Sequence, residues 1–247
     1  MHLLCEFKKY NLVFENIKTI DVKNKSSWRS KLFLTFDVDW CSDEVLSYTL
    51  DIIEKYDINA TFFITHQTIL LDRMRENPKI ELGIHPNFNP LLSGDFQYGG
   101  NINKVIEFYK KIVPEAVSVR SHSLTQSSNI LDVFSHFGLK YDCNHFVPYS
   151  SNIDLKPWGH WDGKLIKIPY FWEDDVHCIY GWDWHEDFLN NGGIKVFDFH
   201  PIHIYLNTEQ LDRYEKSREF HSCSEKLSKY VYDGYGTHNF LIDLIKA

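Results

Sequence analysis

Between Lys31 and Phe199 the chain repeats one pattern: a short apolar run that reads as a strand, a polar residue at its end, then an amphipathic stretch that reads as a helix. KLFLTFD (31–37) opens the series, and SDEVLSYTLDIIEKYD follows with Val45, Leu46, Leu50, Ile52, Ile53 and Tyr56 at helical spacing. Ser42 is placed to cap that helix, and Asp43 and Glu44 suit the positive end of its dipole. ATFFIT (60–65) and IELGI (80–84) are the next strands, separated by a helical stretch that stops near Arg75, ahead of Pro78. A loop with Pro86, Pro90, Gly94, Gly99 and Gly100 leads to the helix NINKVIEFYKKIV. AVSVR, LKYDC, LIKIPY and IKVFDF are four further strands, with a helix at SSNILDVFSHF that Gly138 ends. Helices are expected after Asn207 and from Thr237 onward, and the first 30 residues read as irregular, with a short strand over 11–20 packed on the main body. Strands alternating with helices imply a parallel sheet with right-handed crossovers. Seven such strands favour a closed or nearly closed β/α barrel.

Length and charge narrow the function classes. At 247 residues one domain is the expectation, with 1–30 an extension and 31–247 the body. The 34 acidic against 26 basic residues give a net charge of −8, so the basic footprint of a nucleic-acid binder is missing. Apolar runs stay far below the ~20 residues of a spanning helix. Glu6, Lys8 and Lys9 interrupt the apolar stretch that a signal peptide needs, which points to the cytoplasm. Five cysteines (5, 41, 143, 178 and 223) are spread without a C-x-x-C pair, against a disulfide framework or structural zinc knot.

The chemistry lies at the strand ends. Asp37 and Asp39 follow the first strand, His85 the third, Arg120 and His122 the fourth, and His200 and His203 the last. In β/α barrels the C-terminal strand ends share one rim, where catalytic groups collect. A spacing of two on an extended chain turns Asp37 and Asp39 the same way. Two carboxylates that close repel unless a cation or a proton intervenes, so one metal ligand and one general base are expected. A carboxylate with two imidazoles and an open fourth position is the ligand set of catalytic zinc, and the same donors suit non-haem Fe(II). Arg120, from the same rim, would hold Asp37 ionised through a charge-assisted pair. His66 and His145 also follow strands and are weaker candidates to line the cleft.

At these positions the chain resembles the polysaccharide deacetylase family, the NodB-homology or family 4 carbohydrate esterases, over roughly residues 31–205. TFDVD stands at that family's Thr-Phe-Asp-Asp motif, ATFFI at its second strand, and ELGIHPNFN at Glu-x-Gly-x-His. VRSHS stands at Arg-x-Pro-Tyr and VFDFHPIH at the final histidine motif. The resemblance implies a single-domain, distorted (β/α)7 barrel of the NodB type, with one divalent metal, zinc first. It implies hydrolysis of acetyl groups on an N-acetylated sugar. Carried over, Asp37 is the general base, Asp39 and His85 are metal ligands, Arg120 tethers the base and His200 is the general acid. FDVDW and HPIHIYLN are similar to the WbmS-like branch, linked with surface-polysaccharide synthesis.

Two departures bear on the metal. Val38 separates acids that are adjacent in the family, and Asn89 stands where the second metal histidine belongs. His122, one strand over on the same rim, is the expected replacement, with His203 the other candidate. The family's Asp-Trp region falls within Tyr170–Asp175 in an open register. Trp158, Trp161, Trp172, Trp182 and Trp184 cluster in one stretch, either as packing or as a platform for sugar rings. The leading expectation is metal-dependent deacetylation of a carbohydrate. The alternatives are an amidohydrolase acting on a small cyclic amide or ureide, and a carbohydrate-binding protein without a metal. The sequence leaves the sugar and the oligomeric state open.

Overall fold

The structure, a computed structural model, describes residues 13–190 and 192–246. Residues 11 and 12 of the strand expected over 11–20, the Glu6–Lys9 stretch and Cys5 lie outside the described residues. Among the described residues ten strands form one sheet: β1 Val13–Phe14, β2 Lys31–Asp37, β3 Ala60–Ile64, β4 Ile80–Ile84, β5 Ser118–Val119, β6 Tyr141–Phe146, β7 Trp158–Gly159, β8 Ile166–Tyr170, β9 Trp172–Glu173 and β10 Lys195–Phe199. Their order is β7-β8-β6-β5-β4-β3-β2-β10-β9, all parallel except β7 against β8. β8 pairs with β6, whereas β9 begins two residues later and pairs with β10, so residues 166–173 join the two ends of the curled sheet. Counting that segment once, and leaving aside the two-residue β1 and the antiparallel edge strand β7, gives the seven-stranded distorted barrel of the NodB type, in a single α/β domain.

The strands are near-continuous apolar runs because helices cover their outer face and the barrel interior is packed. Every residue of β3, β4 and β10 is buried. Phe36 stacks on Phe62 with centroids 4.6 Å apart, and Phe199 lies on the other side of Phe36 at 6.0 Å. Helix Asp43–Tyr56 starts where Ser42 Oγ accepts from the Val45 N–H (3.4 Å) and ends at Asp57 in the left-handed region. Asn101 and Ser127 cap helices Ile102–Ile112 and Ser128–His136 in the same way, through Lys104 N–H (3.0 Å) and Ile130 N–H (3.3 Å). Gly83 has a steric reason: a Cβ there would lie 2.7 Å from both the Phe63 ring and Ser118 Oγ.

The N-terminal segment is less extended than its sequence suggests. β1 has two residues and pairs with Lys31–Leu32 on the flank that β3 takes over from Thr35. The chain then turns through the 3-10 helix Ile17–Thr19, because polar groups of the barrel floor capture its backbone. Ile17 N–H donates to Thr61 Oγ1 (3.1 Å) and Lys18 N–H to Glu81 (2.9 Å), while Tyr141 Oη donates to the Lys18 carbonyl (2.7 Å). After Asn207 the helical region is broken into Leu211–Ser217, Arg218–Phe220 and Ser224–Leu227, and helix Thr237–Ile245 closes the chain. Among the described residues no helix is long and apolar enough to cross a membrane.

Candidate active site

The parallel ladder brings the strand ends into one place. Val38 N–H donates to the Phe63 carbonyl, His85 N–H to Ile64, Arg120 N–H to Ile84 and His122 N–H to Pro86. The ends of β2, β3, β4 and β5 therefore sit side by side, with Asp39, His85 and His122 on neighbouring turns. Asp39 and Trp40 both have positive φ, +42° and +53°, a conformation that non-glycine residues hold only when their surroundings impose it. Here the Trp40 N–H donates to Thr65 Oγ1 (3.0 Å) and the Cys41 N–H to the Val38 carbonyl (3.1 Å). Ser123 and Leu124 repeat the feature at +55° and +52°, on the turn that carries His122.

Asp39 Oδ1 lies 3.2 Å from His85 Nε2 and 3.2 Å from His122 Nδ1, and the two nitrogens are 3.3 Å apart. A near-equilateral triangle of that edge is one face of a tetrahedron whose centre is about 2.0 Å from each atom, the distance of zinc from nitrogen or carboxylate ligands. Among the described residues three other sets have ligand atoms within 4.8 Å: Asp174–His200–His203, Asp37–Asp198–His200 and Glu173–Asp175–His200. In the first two, the carboxylates are already engaged by His200 or by Arg120. The ion pairs of Asp39 are all with imidazoles, those of His85, His122 and His200, so the Asp39–His85–His122 donor set fits a divalent cation best. Burial pushes the Asp39 carboxyl up, but hydrogen bonds from His122 and His85 and the nearby imidazole charges outweigh it and hold it well below the usual carboxylate range. His85 Nδ1 is buried without a hydrogen bond and lies 3.5 Å from Asp37 Oδ1, which places its second ring nitrogen beside a carboxylate.

Asn89 is beside this set rather than in it. Its Nδ2 donates to Ser123 Oγ (3.1 Å) and its Oδ1 accepts from Thr125 Oγ1 (3.4 Å), so it props the turn that presents His122. His203, the other expected candidate, is outside the triangle: its Nδ1 meets Thr208 Oγ1 at 3.1 Å and its ring packs edge-on against His200.

Arg120 is wholly buried beneath the triangle. Its Nη1 donates to Asp37 Oδ1 (3.0 Å) and to Asp198, and its Nε to the Cys143 carbonyl (3.2 Å). The guanidinium lies over the Tyr170 ring (4.3 Å) and the Phe63 ring (4.7 Å). One cation thus serves two carboxylates. Burial, with the Asp37 charge alongside and Arg120 opposing, lifts Asp198 to about 8.

On the opposite side His200 is gripped by Asp174, whose two oxygens meet the His200 backbone N–H (2.8 Å) and Nδ1 (2.7 Å). Nε2 is left facing Asp39 Oδ2 at 3.7 Å. Burial disfavours the charged ring, but Asp174 outweighs it and keeps the imidazolium well above its ordinary range. A neighbouring cavity of about 400 Å3 is lined by Asp39, His122, His200, Tyr214, Arg218 and His221 among others.

Asp174 and Asp198 were not singled out in the sequence. Asp174 falls in the Tyr170–Asp175 stretch whose register was open, and Asp198 is two residues before His200, on the same face of β10. The tryptophan cluster divides: Trp172, Trp182 and Trp184 pack around His177 and Phe188, whereas Trp158 and Trp161 are exposed beside His145 and His160. His145 lines a hollow together with Trp158 and Trp161, and His66 meets Thr65 Oγ1 at 2.8 Å.

Comparison with solved structures finds a crystal structure from Bordetella bronchiseptica, described as a polysaccharide deacetylase involved in O-antigen biosynthesis. It is 46% identical, covers 94% of this chain and 96% of its own, and superposes with a TM-score of 0.89. A family 4 carbohydrate esterase from Streptomyces lividans, in complex with acetate, is 12% identical (81% of this chain, 86% of its own, TM-score 0.43). A family 4 acetyl xylan esterase from Clostridium thermocellum, in complex with a cobalt ion, is 16% identical (83%, 86%, TM-score 0.38). No curated protein matches the sequence. The family model for WbmS-like polysaccharide deacetylases matches residues 34–218, about three quarters of the chain. The chain belongs to the WbmS-like polysaccharide deacetylase family.

Proposed function

We propose that this protein is a metal-dependent hydrolase that removes acetyl groups, N-acetyl in the first place, from a carbohydrate of a surface polysaccharide or its precursor. The observation that carries the reading is the triangle of Asp39 Oδ1, His85 Nε2 and His122 Nδ1, set between a buried carboxylate–guanidinium pair and an imidazole–carboxylate pair. The kinship with a Bordetella protein described as acting in O-antigen biosynthesis supports the carbohydrate part.

A divalent ion held by Asp39, His85 and His122, with zinc the best match to the donors, supplies Lewis acidity toward a water molecule and the acetyl carbonyl. Asp37 takes the proton of the attacking water, and Arg120 keeps that carboxylate oriented. As the water oxygen bonds to the carbonyl carbon, the C–N bond breaks and the nitrogen leaves as an amine. His200, held charged and aimed by Asp174, delivers its Nε2 proton to that nitrogen. Acetate and the free amine are the products.

The test is acetate release from N-acetylated saccharides by zinc-loaded protein. Asp37→Asn and His200→Ala should each lower kcat by about 10²–10⁴-fold. Variants as active as the native chain, or no acetate released from any N-acetylated saccharide, would refute the reading.

A further inference from the structure

A second hollow, of about 490 Å3, opens beside the candidate active site. Trp158 on β7 and Trp161 beyond it form one side, at 40% and 81% exposure, unusual for so large an apolar side chain. His145 meets Trp158 edge-on at 5.0 Å, and His160 lies 3.7 Å from Trp161 between centroids. The β6–β8 register shifts between Asp142 and His145, which breaks the alternation of β6 there. Two features describe an occupant. Lys167 is paired with Asp142, so the hollow offers no uncompensated lysine, and His145 Nδ1 is buried without a hydrogen-bond partner. Flat apolar faces flanked by uncharged polar groups suit a neutral, polyhydroxylated ring. The hollow lies within reach of the active-site rim: Gln126 lines it and is four residues beyond His122, at most about 14 Å between Cα atoms. Gln126 Nε2 donates to the Asn144 carbonyl (3.3 Å), and Asn144 Oδ1 accepts from the Ser121 N–H (2.7 Å), which ties the two places together.

We propose that the Trp158–Trp161 hollow is a secondary saccharide subsite, which binds a neutral sugar of the same chain whose acetylated unit sits at Asp39, His85 and His122. The inference rests on the carbohydrate reading above, and it makes the substrate an oligosaccharide or polymer rather than a free monosaccharide.

The probe is an array of neutral N-acetylated mono- to hexasaccharides, with the full-length chain. Native protein should bind trisaccharides and longer, and Trp161→Ala should weaken that binding about tenfold. Trp161→Tyr, which keeps an aromatic face, should retain it. Because Trp161 is mostly exposed, its truncation leaves the core untouched. Binding that is unchanged in Trp161→Ala, or confinement of binding to acidic glycans, would overturn the proposal. Acetate release is scored separately. Tryptophan-dependent binding without acetate release keeps the subsite and removes the hydrolase reading, whereas acetate release with tryptophan-independent binding does the reverse.

Discussion

Replacing Asp198 with asparagine asks whether one guanidinium can keep two buried carboxylates ionised. Asp198 and Asp37 both face Arg120, and Asp198 is fully buried. Burial and the Asp37 charge lift its folded pKa to about 8, against the ordinary 3.8. The sign follows: a carboxyl raised on folding contributes stability that is present below the unfolded pKa and lost as pH rises toward the folded one. The window runs from about pH 4 to about pH 8. Within it one proton's difference is worth about 1.4 kcal/mol per pH unit, so about 3 kcal/mol between pH 5 and pH 7. Asp198→Asn keeps the shape and the oxygen that faces Thr35 and Arg120, and removes the titration. Relative to the native chain it should gain about 3 kcal/mol from pH 5 to pH 7, or about 6–12 °C in Tm for a chain of this size. Urea unfolding at pH 5, 6 and 7 measures this. An offset that stays constant with pH, or one that turns against the variant at pH 7, would show that Asp198 is ionised and refute the reasoning.

Other consequences follow from single contacts. Asp174→Asn removes the group that outweighs burial at His200, so the basic limb of the kcat/KM profile should move to lower pH, with kcat down about 10²-fold. Asn89→Ala frees the turn that carries His122, and zinc affinity measured by competition with a chelator should fall about tenfold. Gly83→Ala drives a methyl into Phe63 and Ser118 and should cost about 1–3 kcal/mol in urea unfolding, with the same metal content.

The rim was legible in the sequence because parallel strands joined by helices place their C-terminal ends together, and polar residues there stand out against apolar runs. Asp37 and Arg120, read from two separate strand ends, meet at 3.0 Å. His122, suggested by the gap at Asn89, comes within 3.2 Å of Asp39, whereas His203 is drawn to Thr208. Asp198 was hidden by its surroundings: a single carboxyl inside VFDF carries no motif, and only its two-residue spacing from His200 places it on the same face. Asp174 was hidden by register, because three acids in a row give no means of choosing among them. The segment after β1 bends under the barrel through contacts with Thr61 and Glu81, more than forty residues away, which local pattern does not encode. The tryptophans cluster in sequence but divide in space, since β7 turns back against β8 while Trp172 continues into β9.

The central claim is that Asp39, His85 and His122 hold a metal, and elemental mass spectrometry on untagged protein purified without added metal tests it most directly. About one equivalent of a transition metal per chain is expected, zinc first, with most of it lost in His122→Ala and kept in His203→Ala. Protein that carries no metal and takes up no zinc on titration, or metal that His203→Ala removes and His122→Ala does not, would contradict the account.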